Sequence, residues 1–202
     1  MMAAPPLLRC AAVALACLAG VTAPAQTPGN AADPGEPLVI NGCPIWPYTR
    51  CPGADLRHAN LVGKNLAGAD LRGADLTRAD LRAANLAAAN LEGANLTGAR
   101  LAKATAANTD FKHARFIGAD LEGARLMRSD FSGAEFIGSN LEMARFNNAW
   151  FVGARFIAND LQEAKFATTN LTNAVFEGNF VLYTLFTEAA MDGCQGCQES
   201  WK

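Results

Sequence analysis

Every fifth residue from Leu56 to Phe186 falls on one phase: of these 27 positions, 25 are Leu or Phe, the exceptions being Ala106 and Val181. Two places earlier stands Ala in 19 of the 27 units, and directly before the centre Asp or Asn dominates the first half, from Asp55 and Asn60 to Asn95. A period of five matches neither the 3.6 of an α-helix nor the 2.0 of a strand, so a helix would scatter these large side chains around its circumference. A closed coil with flat sides gathers them: each unit makes one side, two of its residues point inward, and three face water. Leu and Phe then fill the axis, and the alanines sit where the wall leaves little room.

Runs such as Ala69-Asp70-Leu71-Arg72-Gly73 and Ala94-Asn95-Leu96-Thr97-Gly98 resemble the pentapeptide-repeat family, over about residues 54–189. The resemblance implies an all-β fold, a right-handed quadrilateral β-helix with four units per coil, in which residue n stacks on n+20. Such a solenoid has between six and seven coils and a length of roughly 32 Å at strand spacing. Each buried Leu or Phe contributes about 1.5–3 kcal/mol before ordering entropy is subtracted. Coils are covered only by their neighbours, so both ends need caps. Thr105-Ala106-Ala107-Asn108-Thr109 keeps the length of a unit but loses its bulky centre, which predicts a continuing coil with a local hollow or a small bulge. It divides ten Leu centres from a Phe-rich set.

The flanks obey other rules. Arg9, the apolar stretch Cys10–Val21 and Ala23-Pro24-Ala25 read as a secretory signal over residues 1–25. Its apolar stretch spans about 18 Å, short of the roughly 30 Å hydrocarbon core, so no transmembrane segment is expected. Export to the periplasm or outside the cell follows, with a lipid anchor through Cys17 as the competing reading. Residues 26–42 read as a flexible Pro/Gly linker, 43–53 as a disulfide-containing N-terminal cap, and 190–202 as a C-terminal cap or tail. That tail, with Met191 and Trp201 folded back, would cover the apolar end formed by Val175, Phe180, Val181, Leu182, Tyr183 and Leu185. A homodimer through this end is the alternative.

Cys43, Cys51, Cys194 and Cys197 remain after the signal, and an even count in an exported chain favours disulfides. The rod separates the two pairs by far more than the Cα limit of about 7 Å, so the expected partners are local, Cys43 with Cys51 and Cys194 with Cys197. The same separation excludes a four-Cys zinc site within one chain.

Chemistry-bearing residues are sparse. His58 and His113 face outward in isolation, Ser129 and Ser139 take small inward positions, and no nucleophile stands near a base at recognisable spacing. The carboxylates arise from the repeat, and the glycines follow its beat rather than a phosphate-binding motif. No enzyme, cofactor or metal site is therefore expected. Residues 54–189 carry 15 acidic and 14 basic side chains, which speaks against nucleic acid as a partner. The expected role is a non-enzymatic exported scaffold that binds an unidentified protein. Its candidate surface comprises the outward column Ile117, Ile137 and Ile157, the lone Trp150, and the cations Arg125, Arg145 and Lys165. Glu122 with Arg125 and Glu142 with Arg145 are expected to neutralise each other around a corner, while Arg115, Glu135 and Arg155 alternate in sign. Two alternatives stand beside this role. Some proteins of the family that the chain resembles protect type II topoisomerases by imitating DNA, for which the balanced charge is unsuited. Cys194-Gln195-Gly196-Cys197 could instead serve a thiol oxidoreductase, although no βαβ pattern surrounds it.

Overall fold

In the computed structural model, which describes residues 38–198 and 201, the backbone pairs with itself in parallel at a fixed offset of twenty residues, from Arg50 with Asp70 to Val175 with Gln195. Five residues per side and twenty per coil make a four-sided solenoid of about seven coils, right-handed as parallel crossovers are. Side 1 carries the centres Leu56 to Phe176, side 2 Leu61 to Val181, side 3 Leu66 to Phe186, and side 4 Leu71 to Met191.

Two local devices turn the chain at most corners. The residue two past each centre has a positive φ, and the next N–H donates to the centre carbonyl, as Ala74 does to Leu71 at 3.0 Å, which makes a type II turn. The Asp or Asn before the centre accepts from the N–H two residues on, as Asn90 Oδ1 does from Glu92 at 3.0 Å. That N–H is turned away from the ladder, so a short side-chain acceptor is what the position needs. The repeat signature is thus hydrogen-bond bookkeeping.

Inside, the Leu centres and the inward alanines are almost wholly buried, and from Phe111 onward the rings form stacks along the axis. Phe116, Phe136 and Phe156 lie parallel at 4.6 and 4.8 Å between centroids, and Phe131 meets Phe146 of the adjoining stack edge-on. Register continues unbroken through Asn85, Thr105 and Arg125, so the unit around Ala106 holds no bulge. Four three-residue strands, β3 (Arg115–Ile117), β4 (Glu135–Ile137), β5 (Arg155–Ile157) and β6 (Val175–Glu177), form a parallel sheet on side 1. Ser139, Asn159 and Asn179 replace alanine at the corners after β4, β5 and β6 and bond back to the corner of the coil before. Ser139 Oγ donates to the Phe116 carbonyl at 2.6 Å and accepts the Ala119 N–H at 3.2 Å, releasing the ordinary turn bond.

The ends differ from expectation. Val39–Ile40 (β1) pairs antiparallel with Cys43–Pro44 (β2) around Asn41-Gly42, both with positive φ, so the linker assigned through Gly42 gives way to a hairpin from Val39. Regular coiling also begins within the cap, since Arg50 bridges Asp70 and Cys51 takes a centre position. At the other end Met191 is itself a centre of side 4 rather than a folded-back lid. Gly196 occupies the centre above Phe176, where a Cβ would strike the Phe176 carbonyl. The vacated space belongs to Trp201, stacked on Phe186 at 4.3 Å and edge-on to Phe176 at 5.6 Å. The sulfurs of Cys43 and Cys51, and those of Cys194 and Cys197, lie at bonding distance, with Cα separations of 5.7 and 5.8 Å. The signal over 1–25, with Cys17, and most of the linker lie outside the described residues.

Candidate interaction surface

Outward side chains fall into columns at the coil repeat, so neighbouring charges meet at about 4.8 Å. In the ladder position before each centre the rod manages this proximity. Asp55 and Asp75 share Arg57 at 2.6 and 3.9 Å, and Asp110 and Asp130 share Lys112 at 2.9 and 3.4 Å. Arg115, Glu135 and Arg155 alternate, each arginine 3.4 Å from the glutamate. The Arg57 hydrogen bond holds the Asp55 carboxyl at about 2, and Arg72 and Arg82 hold Asp70 and Asp80 below the ordinary carboxylate range. Its hydrogen bond to Asp110 raises Lys112 in turn.

Side 3 breaks this rule. Arg125, Arg145 and Lys165 bridge in succession and are all exposed, and among the described residues no carboxylate lies within 4.0 Å of them. The corner pairs Glu122 with Arg125 and Glu142 with Arg145 do not form. Three residues beyond this column in each unit, along the edge between sides 3 and 4, runs an open trough of about 530 Å³. Arg128, Asn148, Thr168 and Glu188 line the corner, and Trp150, 46 % exposed, stands on the side 4 wall. Thr168 and Asn148 were not signalled by the repeat; only the coil register places them there.

The sequence-derived surface therefore divides. Trp150 and the cations flank one edge, whereas Ile117, Ile137 and Ile157 lie on side 1, opposite side 3. These isoleucines are half-buried rather than an open apolar strip, because each packs on the next along β3, β4 and β5. The buried hydroxyls are occupied: Ser129 donates to Ala106 at 2.6 Å and Thr109 to Leu86 at 2.8 Å. His113 lies over Gly133. Cys194 and Cys197 sit in the closing turn of the rod. Among the described residues no group of three or more His, Cys, Asp or Glu could hold a metal, and no helix is long and apolar enough to cross a membrane.

Family models for pentapeptide repeats, in eight and nine copies, match residues 50–86 and 79–116, and residues 121–165, respectively. No curated protein matches the chain. Among solved structures the chain is similar to HetL, a pentapeptide repeat protein involved in heterocyst differentiation regulation from the cyanobacterium Nostoc sp. strain PCC 7120. Identity is 27 % over 71 % of this chain and 70 % of that one, with a TM-score of 0.35. It is also similar to QnrB1, a plasmid-mediated fluoroquinolone resistance protein, at 14 % identity over 72 % and 90 % of the two chains and a TM-score of 0.44. A third is a pentapeptide repeat protein from the Arabidopsis thaliana thylakoid lumen, at 24 % identity over 71 % and 72 % with a TM-score of 0.23.

Proposed function

The chain belongs to the pentapeptide-repeat family, and on that premise we propose that it is an exported, non-enzymatic scaffold that holds a protein partner along the edge between sides 3 and 4. The observation that carries the reading is Trp150. At a ladder position where the repeat favours Asp or Asn, a large ring is left 46 % exposed on the wall of a trough. An exposed aromatic beside a concave surface is the usual anchor of a protein interface. The inward Ser129, Ser139 and Asn159 side chains are spent on bonds between coils, which supports a structural use for them.

Export, the periplasmic or extracellular location and the two disulfides belong to the same proposal, supported by the signal-like residues 1–25 and by the paired sulfurs. Capture from an envelope fraction by parent, Trp150→Ala and Ile137→Asp proteins tests it. Loss of a partner with Trp150→Ala but not with Ile137→Asp is expected; the reverse pattern would move the interface to side 1, and no change in either would remove both surfaces. N-terminal sequencing of the mature protein should begin at Gln26, and a chain beginning at a modified Cys17 would replace free export by anchoring.

A further inference from the structure

We infer that the partner presents an acidic α-helix, which lies along the rod axis between the cation column of side 3 and Trp150; this rests on the protein-binding reading above. The first observation is electrostatic. Stacked like charges at this ladder position share a counter-ion elsewhere, as Asp110 and Asp130 share Lys112, but Arg125, Arg145 and Lys165 share none among the described residues. Three exposed cations in register repel one another, and a partner supplying carboxylates in the same register relieves that repulsion.

The second observation is metric. Cations one coil apart repeat at about 4.8 Å along the axis. An extended peptide returns a side chain to the same face only every 6.6 Å or so, and over two steps misses the third cation by nearly 4 Å. A helix returns one face every turn of about 5.4 Å, so over two turns it drifts by only about 1.2 Å. Long Arg and Lys stems absorb that drift. The third observation is polarity along the trough, with Arg128 towards its start and Glu188 at its end. A helix C-terminus favours the cation and an N-terminus the carboxylate, so the partner helix runs antiparallel to the rod. An apolar residue beside its acidic stripe covers the Trp150 ring.

Two labelled, end-blocked Ala-rich peptides of about 18 residues test this against the full chain by fluorescence anisotropy. One carries Glu at i, i+4 and i+7 with Leu alongside, and the other has the same composition with Glu scattered around the helix. The striped peptide should bind at least about tenfold more tightly, and Arg145→Glu and Trp150→Ala should each remove most of that advantage. Arg78→Glu, on the corner after side 1, should not. Equal binding of the two peptides, or equally tight binding of unstructured polyglutamate, would overturn the helix. If the striped peptide fails while envelope capture still depends on Trp150, the scaffold stands and only the class of partner is wrong. If both fail, both readings fall.

Discussion

The corner residue of each unit adopts a positive φ whatever its identity, 63° at Gly73, 55° at Ala83 and 57° at His113. A Cβ in this region costs about 1–2 kcal/mol, so glycine suits the backbone but is not obligatory. A second demand separates one glycine from another. A Cβ on Gly73 would meet nothing within 4 Å, whereas one on Gly133 would run into the His113 ring of the coil before. Gly73→Ala should therefore cost about 1 kcal/mol in urea unfolding and Gly133→Ala clearly more, with His113→Ala restoring the difference. Exposed ion pairs act on pH rather than on bulk stability. Because Asp55 is held at about 2, and Asp70 and Asp80 below the ordinary 3.8, in the folded chain, their contribution is present above that ordinary value and is lost as pH falls through each folded value, near 2 for Asp55. The urea midpoint should decline across that window, and the combined Asp55→Asn, Asp70→Asn and Asp80→Asn variant should decline less. The Asn substitutions keep the acceptor for the N–H two residues on. The demand for Asp or Asn was legible in the repeat, but which carboxylates find an arginine depends on the residue two places along.

At the scale of the coil, each side is too short to be stable alone, and its stability comes from the ladder and the stack it joins. Phe136 touches the rings of Phe116, Phe131, Phe146, Phe151 and Phe156. Phe136→Ala should cost about 3–5 kcal/mol through the cavity left in that stack, and Phe136→Leu no more than about 1.5 kcal/mol, since Leu56, Leu76 and Leu96 fill the same centre of side 1. Thermal unfolding monitored by circular dichroism distinguishes the two. The five-residue beat gave away this core because inward positions recur at one phase. It did not disclose that Ser139, Asn159 and Asn179 form a column, since their partners are carbonyls twenty-three residues earlier in the chain. Nor did proline counting near the N-terminus foresee β1, although Asn41-Gly42 carried the turn signal that outweighs it.

Across the whole molecule, a solenoid frays from its ends, so the caps set its durability. Trp201→Ala should uncover Phe186, cost about 2 kcal/mol, and speed amide exchange in the last coil before any other. Alkylation followed by mass measurement should leave all four cysteines unmodified until reductant is added, and Cys43→Ser should cost roughly 2.6 kcal/mol on the chain-entropy model. Either cysteine pair reacting freely in the oxidised protein would remove the corresponding staple. The sequence by itself determined a closed coil with a dry axis, because a single phase of large side chains can share such an axis in no ordinary helix or strand, and the twenty-residue pairing of the structure gave that coil its four sides. Only the tertiary structure decided which outward residues are neighbours. Twenty-residue stacking set Trp150 on the trough wall with Arg128, sent the isoleucine column to the opposite side, and left three cations of side 3 without a counter-charge among the described residues. Surface chemistry depends on register between coils and on where each long side chain finds a partner, and neither quantity is local in the chain.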